Sequence, residues 1–322
     1  MKECKIFDLH CDTLLRLWRT GERLESCGGH IDLERLRRGG AGAQCFAAFI
    51  VSHGEAEELG AEGDHYEFFL RLEEIFRRET AANSGAMGQA LSAGDIEKNL
   101  DAGRISAILT VEDGALLEGD IRRLDGLWDK GVRMLALTWN YENCIGYPNS
   151  SQEATDGHGL KPFGRECVDR MERLGMIVDV SHLSQGGFWD VAEQMKGPFI
   201  ASHSCAKALC DNSRNLSDRQ LRAIGDHGGV CGVNFYSRFL REGSDRSEIE
   251  DIVRHMAYIS DRAGIESVAI GSDLDGIDCQ LELGDYGGMD LLRRAMARRF
   301  TQDQMELICY KNALRVFRDT VG

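Results

Sequence analysis

Short apolar runs alternate with amphipathic stretches along most of this chain. Eight runs have strand character: Cys4–Leu9, Gln44–Val51, Ser106–Val111, Val132–Thr138, Met176–Val180, Phe199–Ser202, Val230–Phe235 and Val268–Gly271. None shows the polar alternation of a half-solvated strand, so each reads as a strand buried on both faces. Between them, Asp64–Asn83, Ile121–Lys130, Phe163–Leu174, Gly186–Met195, Ser217–His227 and Glu248–Ala263 place apolar residues at helical spacing. Glu172–Gly175 and Asp261–Gly264 each combine a basic last turn with a terminal glycine, the signature of a helix end. Lys311–Gly322 reads as the end of an amphipathic helix.

Doubly buried strands joined by helices predict a parallel sheet. Eight of them close into a barrel, so the predicted fold is α/β, a (β/α)8 barrel. A doubly wound open sheet is the runner-up, but no GxGxxG follows the first strand. No linker or composition break divides the chain. Residues 1–322 are therefore expected to form a single domain, with insertions after strands 2 and 4.

In such a barrel the chemistry sits where the strands end. The predicted tips carry His10-Cys-Asp12, Glu112-Asp113, Trp139-Asn140, Ser181-His182, Ser202-His203, Asn234 and Asp273. Folding an apolar strand needs none of these, and burying one unpaired costs about 2–7 kcal/mol. His10 and Asp12 lie two apart, so their side chains leave one face. With Glu112, His182 and His203 they bring three imidazoles and two carboxylates to one mouth, a donor set suited to Zn²⁺. Five ligands exceed the needs of one tetrahedral ion. Two ions, bridged by a carboxylate and a hydroxide, account for the surplus. His30, His53, His65, His158, His227 and His255 are expected to be ordinary surface or loop residues, with His158 the one to watch.

The balance of 38 basic against 53 acidic residues gives a net charge of −15, which disfavours nucleic acid as a partner. Much of the acid is expected on solvated helix faces such as Glu55–Glu62. The eleven cysteines form no CxxC pair and read as free, mostly buried thiols in a reducing cytoplasm. No run of 18 apolar residues occurs, so no membrane span is expected.

Read in order, FDLHCDTL, the Val111-Glu112 pair, DGHGLKPFGRECVDRMERLGMIVDVSHLS, ASHS, NSRNLSD and IGSDLDG resemble the membrane (renal) dipeptidase family, binuclear zinc peptidases of the amidohydrolase superfamily. The resemblance covers nearly the whole chain. It implies a metal-dependent hydrolase that cleaves unblocked dipeptides, including some with a D-residue at the C-terminal position, with a metal-bridging hydroxide as nucleophile. By position, His10, Asp12 and Glu112 would hold one zinc, and Glu112, His182 and His203 the other. Asp273 falls on the family's catalytic aspartate and Arg214 on its substrate-binding arginine. The residues agree: a strand-end carboxylate can move the proton from water to the leaving amine, and a guanidinium can fork onto a substrate carboxylate.

The sequence departs from the family in two places. Well-characterised members end the fourth strand with a histidine that contacts substrate and helps polarise the carbonyl; here Trp139 stands in its place. An indole N–H donates one hydrogen bond but never becomes cationic. Trp139 and Asn140 are then expected to shape the substrate pocket. A cyclic amide, lactam or lactone hydrolase is the alternative, and a non-catalytic peptide-binding relative the less favoured one. The animal enzymes are secreted and lipid-anchored, whereas MKECKIFDLHCD has no apolar signal segment. A cytoplasmic version acting on dipeptides or other small amides is the expectation, and the resemblance suggests a homodimer. The polar segment 146–159 is a candidate lid.

Overall fold

The structure, a computed structural model, describes residues 4–51 and 63–322. The expected Glu55–Glu62 face and His53 lie outside the described residues. Eight parallel strands form the core: β1 (Ile6–Asp8), β2 (Ala41–Phe49), β3 (Ile105–Glu112), β4 (Val132–Ala136), β5 (Ile177–Asp179), β6 (Ala201–Ser204), β7 (Cys231–Val233) and β8 (Val268–Ile270). Each falls on one of the eight apolar runs. Neighbours in sequence are neighbours in space from β1 to β5 and from β6 to β8, and β8 pairs back onto β1. A parallel bridge between Asp179 and Ile200 joins β5 to β6, with Val180 N–H donating to the Ile200 carbonyl at 2.8 Å, so the sheet closes into a barrel.

The helices follow the amphipathic stretches, and their ends have local causes. Helix α1 (Thr13–Thr20) follows β1, and α2 (His65–Ala82), in the insertion after β2, opens on a reciprocal capping box between Asp64 and Glu67. Helix α3 (Pro162–Leu174) starts with proline at its first position and stops at Gly175, whose φ of 79° a residue with a Cβ rarely adopts. Helix α4 (Ile249–Ala263) follows β7, and α5 (Asn312–Thr320) closes the chain. Phe317, on α5, lies 6.3 Å from the Phe7 ring of β1, tying the last helix to the first strand. Two glycines permit close packing near the mouth: a Cβ on Gly232 or Gly271 would lie 2.0 or 1.8 Å from the Ser202 carbonyl oxygen.

The pattern missed a short strand at Met87–Gln89 beside β3 and a ribbon pairing Arg246–Ser247 with Gln280–Leu281. Two or three residues are too few to show a period. No helix among the described residues is long and apolar enough to cross a membrane. His255 corrects an expectation: it is fully buried in α4, not at the surface. Its Nδ1 accepts from Ala206 N–H at 3.0 Å, and its Nε2–H donates to the Leu240 carbonyl at 2.9 Å.

Burial pushes the His255 imidazole down to about 4, so an unfolded chain binds this proton long before the folded one does. Its contribution to stability is complete above the ordinary histidine value and is lost as pH falls toward 4, about 3 kcal/mol at most. Urea unfolding of the protein and of His255→Asn between pH 7 and 4.5 should show a shallower pH slope for the variant. Equal slopes would contradict this role.

Candidate active site

Hydrogen bonds between adjacent tips set the mouth of the barrel. Asp12 N–H donates to the Leu274 carbonyl at 3.1 Å and Asp273 N–H to the His10 carbonyl at 3.2 Å, lacing the end of β1 to the end of β8. Glu112 is the last residue of β3, His203 lies within β6, and His182 follows β5. His182 and Asp273 adopt φ of 68° and 61°, a left-handed conformation that non-glycine residues hold only where their surroundings enforce it.

The five expected metal ligands meet here, all buried. Glu112 stands between two groups. Its Oε2 lies 3.4 Å from His10 Nε2, which is itself 3.5 Å from Asp12 Oδ2. Its Oε1 lies 3.0 Å from His182 Nε2 and 3.4 Å from His203 Nε2. The two histidine Nε2 atoms are 3.0 Å apart.

The outer nitrogens say which atoms carry hydrogen. His182 Nδ1 is 3.0 Å from Asn140 Oδ1, an acceptor, so Nδ1 carries the proton and Nε2 a lone pair. The Ser202 hydroxyl donates to Asp179 Oδ2, leaving its lone pairs for His203 Nδ1–H at 2.7 Å, so His203 also turns a bare Nε2 inward. Lone pairs of Glu112, His182 and His203 thus converge with no hydrogen between them. His10 Nε2 and Asp12 Oδ1 are buried without a hydrogen-bond partner. Such a cluster is repulsive unless positive charge sits in its centre, which is the requirement a divalent cation meets. The residues therefore fit the metal that the donor set implied.

Protonation follows the same division. Burial, reinforced by Arg214, pushes His182 down to about 4, and burial with the neighbouring His10 pushes His203 well below its ordinary value. Burial opposes a charge on His10, but the Glu112 and Asp12 carboxylates outweigh it and hold that imidazole well above its ordinary value. Burial also raises Asp12, and raises Asp273 to about 8. Asp273 Oδ1 lies 3.9 Å from His10 Nε2, while its Oδ2 accepts from Asn234 Nδ2 at 2.8 Å.

A cavity of about 390 Å³ opens over the cluster, within the usual range for small-molecule sites. Phe49, Trp139, Tyr236 and Phe239 form aromatic parts of its wall, and Arg214 and Asp273 also line it. Trp139 packs on Phe49 with ring centroids 4.7 Å apart. Arg214 is 8% exposed, has a buried Nε without a partner, and makes no ion pair among the described residues. Asn140 lines the cavity and also hydrogen-bonds His182, a contact its sequence position did not disclose.

Segment 146–159 is fastened to the mouth: Asn149 N–H donates to the His182 carbonyl at 2.7 Å, and Ser184 Oγ donates to that of His158 at 2.7 Å. The His158 ring stacks on Tyr147 and joins neither group of potential ligands. Sequence reasoning passed over Asp8 and Asp179. The available signal was an acid inside an apolar strand, two or three residues before a site histidine.

The family model described as membrane dipeptidase (peptidase family M19) matches residues 1–321. The chain is 35% identical over 267 residues to an uncharacterized protein in the pqqA 5' region of Klebsiella pneumoniae, covering 80% of this chain and 97% of that protein. It is 33% identical over 302 residues to an uncharacterized dipeptidase of Schizosaccharomyces pombe, covering 90% and 72%. Among solved structures, a metallo peptidase from Rhodobacter sphaeroides liganded with a phosphinate mimic of the dipeptide L-Ala-D-Ala superposes with a TM-score of 0.89 at 28% identity, covering 98% and 99% of the two chains.

Zn²⁺ should stabilise the metal-stripped protein by about 2.7 kcal/mol per site at a hundredfold excess over Kd, and so raise its unfolding midpoint. In Glu112→Gln, where an amide replaces one of the two facing oxygens, most of that gain should disappear. Thermal unfolding with and without zinc checks this, and a midpoint indifferent to zinc in the unaltered protein would contradict it.

Proposed function

This chain belongs to the membrane dipeptidase family, and from that premise we propose that it is a dizinc dipeptidase acting on unblocked dipeptides. It is a peptide-bond hydrolase of a metallopeptidase family, with a (β/α)8 fold. The observation that carries the finer reading is the division of Glu112, one oxygen toward His10 and the other toward His182 and His203. His10, Asp12 and Glu112 would hold one ion; Glu112, His182 and His203 would hold the second. Ions held there would supply Lewis acidity and a water that loses its proton near neutral pH.

The remaining steps belong to the chain's own side chains. Asp273, beside His10 and steadied by Asn234, takes the proton of the attacking water and delivers it to the departing amine. Arg214, buried and without an ion-pair partner among the described residues, grips the substrate's free carboxylate. Because Trp139 cannot become cationic, its contribution is an aromatic wall and one N–H. The Rhodobacter sphaeroides structure with the L-Ala-D-Ala mimic supports a D-residue at the C-terminal position. Eleven free cysteines, nine of them buried, support a reducing, cytoplasmic setting.

The test is a screen of zinc-loaded protein against unblocked dipeptides of both chiralities, the same dipeptides amidated at the C-terminus, and cyclic amides. Free dipeptides should turn over, and amidation should abolish most of the rate. Arg214→Ala should lose about 10- to 100-fold in kcat/KM on free dipeptides, the worth of a charge-assisted hydrogen bond. Turnover of cyclic amides with inert dipeptides would replace this reading by the lactam or lactone hydrolase.

A further inference from the structure

Beneath the mouth lies a polar device that recurs on two sides of the barrel. Asp8, at the end of β1, accepts from His10 N–H at 3.3 Å, from Ser272 N–H at 2.8 Å and from the Ser272 hydroxyl. Asp179, at the end of β5, accepts on Oδ1 from Ser181 N–H and Ser202 N–H, both at 2.9 Å, and on Oδ2 from the Ser202 hydroxyl. In each case an acid at a strand end captures the serine of an adjacent tip, immediately before a site residue, Asp273 or His203. All four residues are buried, at most 1% exposed, so bulk water does not compete for these bonds.

The two copies differ in what the serine touches next. Ser272 hydrogen-bonds no ring among the described residues, and its capture sets the backbone: its hydroxyl oxygen accepts from Leu274 N–H at 3.3 Å. Ser202 Oγ lies 2.7 Å from His203 Nδ1, and Ser181 Oγ supports it from 3.3 Å while accepting His203 N–H at 3.2 Å. A hydroxyl has one hydrogen. Once Asp179 has taken it, Ser202 faces the imidazole only as an acceptor, and His203 satisfies it only with its proton on Nδ1.

We propose that Ser202, held by Asp179, is a positioning residue that fixes the His203 tautomer and so keeps the Nε2 lone pair turned toward the metal. The opposite assignment would place a hydrogen on Nε2, between His203 and the His182 and Glu112 atoms that converge on it. Partners behind a ligating histidine are worth about 10- to 100-fold in metal affinity. This inference rests on the metal assignment proposed above, and its test separates the two.

The test compares the full chain with Ser202→Ala and Ser202→Thr. Metal affinity is read by competition with a chromophoric chelator, and the His203 ring nitrogens by proton–nitrogen correlation spectra of histidine-labelled, metal-stripped protein. Expected are a proton on Nδ1 in the unaltered chain, a loss of about 10- to 100-fold at one of two metal sites in Ser202→Ala, and recovery in Ser202→Thr, which restores the hydroxyl. Unchanged affinity at both sites in Ser202→Ala, or a proton on Nε2 in the unaltered chain, would overturn the relay. An unaltered chain that takes up no metal would instead defeat the assignment beneath it, while the spectra still report the tautomer.

Discussion

Lone pairs gathered without hydrogens between them are the constraint around which this molecule is arranged. Glu112, His182 and His203 point bare acceptor atoms at one another across 3.0–3.4 Å, all three buried at the foot of the cavity. At such separations a low-dielectric interior magnifies every charge, attractive or repulsive. A protein gains nothing in stability from this arrangement by itself. Cations in the centre would make it favourable, which ties the fold's energetics to its chemistry.

The barrel makes that concentration of polar groups tolerable. Closure through the β5–β6 bridge joins the two ends of the sheet, so each of the eight strands has a neighbour on both sides and the tips are held between them. Positive φ values gather near the mouth: His182 and Asp273 hold left-handed backbones, and Asp113, beside Glu112, has φ of 79°. Asp113 in turn accepts from Asn143 Nδ2 at 2.7 Å, so the turn after the bridging glutamate is fastened to the segment following Trp139. The aromatic wall and the cluster of candidate ligands are thereby fastened to one another.

Much of this was legible in the residues. Eight doubly apolar runs are enough to specify eight parallel strands, because burial on both faces removes the alternation that other strands show. His10, Asp12, Glu112, His182 and His203 stood out since a polar residue at the end of an apolar run has no folding role. What stayed hidden was anything that depends on hydrogen position or on a partner across the barrel. Asn140 looked like a pocket residue until its amide oxygen was found on His182. Asp8 and Asp179 passed unremarked within their apolar runs, and only the serines of neighbouring strands show what they hold. His255 looked peripheral because an isolated histidine carries no sign of burial; its two backbone partners come from segments far away in the chain.

The most direct measurement is a crystal structure of the zinc-loaded protein with anomalous diffraction recorded on both sides of the zinc edge. Two anomalous peaks are expected, one among His10, Asp12 and Glu112 and the other among Glu112, His182 and His203, with one glutamate oxygen directed at each. A single peak lacking Glu112, or zinc bound elsewhere while these five side chains satisfy one another through protons, would contradict the account at its root.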